Sequence, residues 1–249
     1  MAVRDALSDS LLLAQGRGAA DPTAEWLETW EAWVTAMQSG SAMFAAATTT
    51  EPSVSCLIHH EVRSIPATGP RPWVDAGNWL TVFMLSVICR DKDKLDALCQ
   101  IPLSLLRESG AEYDAYVYPW VETLRAYWLS RPDLGDRLLE AAQGLAPEAA
   151  PIAGPEATTR ILWPVVDLLH RFITSDHERF NQSLANALTL HKQYWTRDEG
   201  RTRDARGLVA VGPLAMACLA HDGGFPIEVE SDYLPKHLVK GTWVGELPT

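Results

Sequence analysis

The 249-residue chain carries 21 Lys+Arg against 32 Asp+Glu, a formal net charge of −11, with 47% hydrophobic residues. That hydrophobic content argues against disorder, and the acidic balance disfavours nucleic acid, whose phosphates need a basic footprint. No run reaches the ~18 apolar residues of a membrane span, and Leu11 to Ala14 is too short for a signal-peptide core, so a cytoplasmic protein with no membrane partner is expected.

Residues 1–20 have weak patterning around Gly16 and Gly18 and read as a flexible leader. Residues 21–249 read as one helical domain. Asp21–Pro22 has the signature of a helix start, Asp as N-cap and Pro in the first helical position. Trp26, Trp30, Trp33 and Met37 follow at i, i+4, i+7 and i+11, one stripe of a helix. Core packing is the ordinary reading of three tryptophans on one face. An aromatic anchor for a partner protein is the sharper one, because Trp and Tyr dominate binding hot spots.

Val54, Cys56, Ile58, His60 and Val62 alternate with mostly polar positions and predict a short strand over 54–63, followed by a proline-rich loop over 66–72. From Asn78 the pattern is helical: an apolar helix over 79–89, a second over 94–106, and a Tyr/Trp-rich one over 113–128 with Pro119 inside it. A short helix over 134–142 leads into a Pro/Ala/Gly-rich stretch at 144–155, which reads as a linker or a surface loop.

The second half resembles the first. Trp163 matches Trp79 at an offset of 84, and Phe180, Leu184, Leu188 and Asp176 match Leu95, Cys99, Leu103 and Asp91 at 85. Ser175 and Glu178 supply a capping-box pattern, and a helix over 206–220 holds Pro213 as its counterpart holds Pro119. Sub-units at 75–145 and 156–224 would make a two-fold repeat of stacked helical hairpins, although amphipathic helices also match by chance. The expected fold class is mainly α, with at most a short β element near 54–63 and 226–230.

No signature of catalysis is complete. Gly16–Arg17–Gly18 breaks the dinucleotide-binding pattern, and His177–Glu178 lacks the second His of a zinc-protease helix, Asn181 standing in its place. Cys56, Cys89, Cys99 and Cys218 lie far apart and read as free thiols. His59, His60, His170, His177, His191 and His221 form no i, i+3 or i, i+4 pair, and adjacent residues in a strand point to opposite faces, so no metal and no cofactor are expected. His170, between Leu169 and Phe172, reads as a core histidine.

Glu228, Glu230 and Asp232 alternate with Val229 and Ser231 in a segment bounded by Pro226 and Pro235. An extended chain would carry the three carboxylates along one side, either as a solvated edge or as a strip that docks on a cationic surface. Tyr233 is the nearest aromatic able to anchor such a contact.

Six segments resemble the Imm49 family of actinobacterial immunity proteins: WEAWVTAM at 30–37, IPATGP at 65–70, AGNW at 76–79, FNQSL at 180–184, LHKQYW at 190–195 and GFPIEVESDYLPKHL at 224–238. The resemblance runs from about residue 24 to the C-terminus. It implies a mostly helical protein that binds and neutralises a polymorphic toxin encoded beside it, with no catalytic residues to carry over. A nuclease toxin would be basic, and a chain at −11 would be steered toward it. The competing readings are a helical-repeat scaffold for another partner and a metal-dependent enzyme using the histidines.

Overall fold

The structure is a computed structural model that describes residues 3–146 and 148–249. Its helices are α1 (Val3–Arg17), α2 (Leu27–Thr48), α3 (Ala76–Cys89), α4 (Lys92–Cys99), α5 (Leu103–Glu108), α6 (Val117–Trp128), α7 (Leu134–Gly144), α8 (Gly154–Ala157), α9 (Trp163–Ile173), α10 (His177–Trp195), α11 (Glu199–Thr202), α12 (Val211–Asp222) and α13 (Lys236–Val239). One antiparallel hairpin, β1 (Ser53–Ile58) and β2 (Glu61–Pro66), lies between α2 and α3. The chain is mainly α-helical, as expected.

Helix periodicity located the long helices because their inner stripes are the core. Trp30, Trp33, Met37, Trp79, Phe83, Phe180 and Leu124 are fully buried and belong to one continuous hydrophobic cluster. Removing any one of the three tryptophan side chains would cost about 3–5 kcal/mol through lost transfer energy and the cavity left behind. The α2–α3 contact is close enough to require a glycine. A Cβ on Gly40 would lie 2.3 Å from Val82 Cγ2.

Four helices end the same way. Arg90, Ser130, Ser175 and Gly224 are left-handed, and the next N–H bonds back to Ser86, Ala126, Arg171 and Ala220 respectively, closing the last carbonyls of α3, α6, α9 and α12. After two of these ends an Asp caps the following helix: Asp91 accepts from the Lys94 N–H at 2.9 Å and Asp176 from the Arg179 N–H at 3.2 Å. Asp176, rather than Ser175, is therefore the cap of α10. These corners are 85 residues apart, as the offset predicts, but the paired tryptophans differ: Trp79 is buried and Trp163 is 45% exposed.

Several boundaries depart from the sequence reading. The described part of the expected leader is α1, which packs along α2 and buries Leu7 and Ala14. Helix α2 begins at Leu27, and Asp21 caps the preceding turn instead, accepting from the Glu25 and Trp26 N–H groups at 2.9 and 3.0 Å. The helix expected over 94–106 breaks into α4 and α5 at Pro102. Pro119 and Pro213 are each the third residue of α6 and α12, where an absent N–H breaks no helical bond. Pro164 lies deeper, in a helix running on from α8. There the backbone relaxes to a π-helical stretch, Thr158–Leu162, which relieves the clash of the ring with the preceding turn. The 144–155 stretch is tied down where it is described: the Asp114 carboxylate accepts from the Ile152 and Ala153 N–H groups at 2.9 and 2.7 Å.

Candidate functional site

The C-terminal segment following α12 has no ladder partner among the described residues, so the strand expected at 226–230 is absent as a sheet element. It forms no regular element from Phe225 to Ser231 and turns at Asp232–Tyr233, where the Leu234 N–H bonds the Ser231 carbonyl at 3.0 Å, yet the alternation of burial survives. Ile227, Val229 and Tyr233 pack against the core, while Glu228, Glu230 and Asp232 are exposed. One side chain of α10 ties down the start of the segment. Asn181 donates Nδ2–H to the Pro226 carbonyl at 2.8 Å and accepts the Glu228 N–H on Oδ1 at 2.9 Å, imitating the paired bonds of a neighbouring strand. Asn181 is the residue that stands in place of the second zinc-protease His, and sequence reasoning gave it no role. His177, at the start of α10, stacks on Phe225 with ring centroids 3.8 Å apart and fixes the beginning of the segment.

The three carboxylates project from this clasped backbone with little compensation. Glu230 approaches Lys236 only at 3.8 Å and is 85% exposed, and neither Glu228 nor Asp232 makes an ion pair among the described residues. Tyr233 is half-buried, with its carbonyl accepting from the Ala210 N–H at 3.0 Å and its ring edge-on to His191 at 5.2 Å. Much of that ring is spent on internal packing.

The tryptophan stripe divides. Trp30 and Trp33 are 1% and 0% exposed, so they are core residues and cannot anchor a partner. Trp26 is 49% exposed, beside Leu27 at 38%. Its loop is tied to the C-terminal segment by the His237 N–H on the Thr23 carbonyl at 2.9 Å and by Trp243 Nε1–H on the Ala24 carbonyl at 3.1 Å.

The histidines also fall differently from expectation. His170 is exposed, and the buried one is His191, whose Nε2 bonds the Gly207 carbonyl at 2.9 Å. Burial holds the His191 pKa below 6.5, outweighing the bond to Gly207, so the imidazole is neutral at pH 7. His191 lines an apolar cavity of about 330 Å³ together with Tyr116, Trp120, Arg160 and Arg206. No carboxylate lines that cavity among the described residues, and a neutral imidazole with one nitrogen committed to a carbonyl has no acid–base partner there.

His59 and His60 do not sit in a strand. They are the two residues of the β1–β2 turn, both left-handed at φ 49° and 46°. The opposite-faces expectation therefore fails: the rings lie 4.7 Å apart and both reach Glu31 of α2.

Over residues 21–238, from the loop after α1 to α13, the chain matches a family model described as Immunity protein 49. No curated protein and no solved structure matches it.

Proposed function

The chain belongs to the Imm49 family of immunity proteins, and from that premise we propose that it acts in the cytoplasm by binding a basic cognate toxin, one-to-one and without catalysis. The observation that carries the reading is the exposure of Glu228, Glu230 and Asp232, the first two in the stretch that Asn181 ties down and the third on the turn that follows. Their charges are of the sign that steers association with a phosphate-binding enzyme such as a nuclease, and the net charge of −11 adds to the field. Trp26 supplies an exposed aromatic whose burial would slow dissociation. Four free cysteines fit a reducing compartment. No helix of the described residues is long and apolar enough to cross a membrane.

The test uses the product of the adjacent toxin gene. Reversing Glu228, Glu230 and Asp232 together to Lys is expected to slow association by at least tenfold at low salt and to flatten its salt dependence, since exposed charges are screened over about 8 Å at physiological ionic strength. The fold should be unaffected, because the three side chains make no buried contact. Unchanged association by a folded triple variant would overturn the assignment of the strip.

A further inference from the structure

The turn joining β1 to β2 carries two residues poorly suited to it. A two-residue hairpin with both positions left-handed is the type I′ turn, and Asn-Gly is the sequence that forms it at least cost. Here His59 and His60 hold those positions, where an L side chain crowds the backbone. The distorted turn is fixed from outside the hairpin. Gln38 of α2, itself buried, accepts the His59 N–H on Oε1 at 2.9 Å.

That turn places two imidazoles over one carboxylate. Glu31 lies seven residues before Gln38 on the same face of α2, and its Oε1 sits 3.3 Å from His59 Nδ1 and 2.5 Å from His60 Nε2. The three ligand atoms all fall within 4.8 Å of one another. A tetrahedral zinc with bonds of about 2.0–2.1 Å separates its donors by about 3.3 Å, so closing this triad around an ion needs only side-chain adjustment. A single histidine would serve an ordinary ion pair with Glu31. Two, held by a costly turn on a single oxygen, match the two-imidazole, one-carboxylate donor set of borderline transition metals.

We propose that Glu31, His59 and His60 form a binding site for one divalent transition-metal ion of the zinc type, with its remaining coordination open. The side chains of His59 and His60 are 55% and 51% exposed, so the open position is reached by water or by a donor group from outside the chain. His59 also lines a cavity of about 420 Å³ between α1, α2 and the hairpin. The Glu61–Arg63 ion pair at 2.9 Å is internal to β2, and Thr35 Oγ1 lies 3.5 Å from His59 Nδ1.

The experiment titrates tag-free protein with zinc against a chromophoric chelator, and with cobalt to read its visible absorption. The wild type is expected to take one equivalent. Glu31→Gln should weaken binding by more than about tenfold, since even changes outside the ligand set cost 10–100-fold. The double variant His59→Asn/His60→Gly should lose the site. Because Asn-Gly favours this turn, the same variant should melt about 2–4 °C higher than the wild type without metal, and zinc should no longer raise its melting temperature. That second reading separates a lost ligand set from a damaged fold. Failure of the wild type to bind zinc, or binding of equal strength by the double variant through other histidines, would overturn the site. A double variant that melts lower would refute the role given to the turn.

Discussion

Arg90→Met probes how the C-terminal helix is held. Arg90 is the left-handed residue after α3, and its guanidinium donates to the carbonyls of Ile88, Leu238 and Val239 at 2.7, 2.6 and 2.6 Å. It also meets the Asp222 carboxylate at 3.0 Å and Cys218 Sγ at 3.2 Å. Met keeps the aliphatic bulk and removes every donor. With Asp222 46% exposed, that ion pair is worth at most about 1 kcal/mol. The carbonyls of Ile88 and Val239 weigh more, since a buried acceptor left without its donor costs about 1–3 kcal/mol, whereas the Leu238 carbonyl keeps the Gly241 N–H at 3.2 Å. Together the loss is about 3–5 kcal/mol. Undocking α13 instead would expose the buried Leu238 and Val239 side chains at about 1.5–3 kcal/mol each, a cost of similar size. The variant should therefore sit near balance between a strained docked helix and a released one. Hydrogen exchange by mass spectrometry is expected to show lost protection over residues 236–249 with α2 and α3 still protected, and calorimetry a melting temperature lower by about 6–20 °C. Arg90→Lys, able to reach fewer acceptors, should fall between. Wild-type protection at the C-terminus together with an unchanged melting temperature would refute the clamp.

Two further outcomes follow from burial. Burial pushes the thiol of Cys99 up to about 12 and that of Cys218 up to about 11 despite the nearby guanidinium, and raises that of Cys89 as well, so the folded protein should react with a thiol reagent only at half-buried Cys56 and the unfolded protein at all four; prompt labelling of a second thiol at pH 8 would contradict this. His191, with its folded pKa below the unfolded value of 6.5, lets the unfolded chain bind the proton first, so its contribution to stability is complete above pH 6.5 and is lost as pH falls through the folded pKa. Urea midpoints should decline from pH 7 to 5, His191→Gln should flatten that decline, and an equal slope in the variant would assign the effect to other groups.

The long helices were legible because each has an inner stripe of large side chains, as in Trp30, Trp33 and Met37. Helix α1 was not, because its apolar run includes Leu12 and Leu13, which face solvent, while its contacts to α2 use the sparse pair Leu7 and Ala14. Flanking residues misled at His170: successive helix positions turn by about 100°, so apolar neighbours on both sides do not make a position internal. The hairpin was seen as a single strand because its turn has neither Gly nor Asn, and the chemistry of His59 and His60 was hidden for the same reason. Glu31 lies far from them in sequence, and only the packing of the hairpin on α2 brings it near.

The carboxylates at 228–232 were found by their period of two, but what orders their backbone was not. A segment of this kind without a strand partner would ordinarily sample many conformers and would lose that freedom on binding. Here Asn181 fills the place of a strand edge, the alternate residues Ile227, Val229 and Tyr233 are turned into the core, and the Tyr233 carbonyl is tied to Ala210. Arg90 then fixes α13 immediately beyond. In the proposed complex, three charges on a backbone ordered in advance would meet the partner with only side-chain freedom left to lose. A solvated edge would need neither the Asn181 clasp nor the Arg90 clamp, and that difference favours a docking role for the strip.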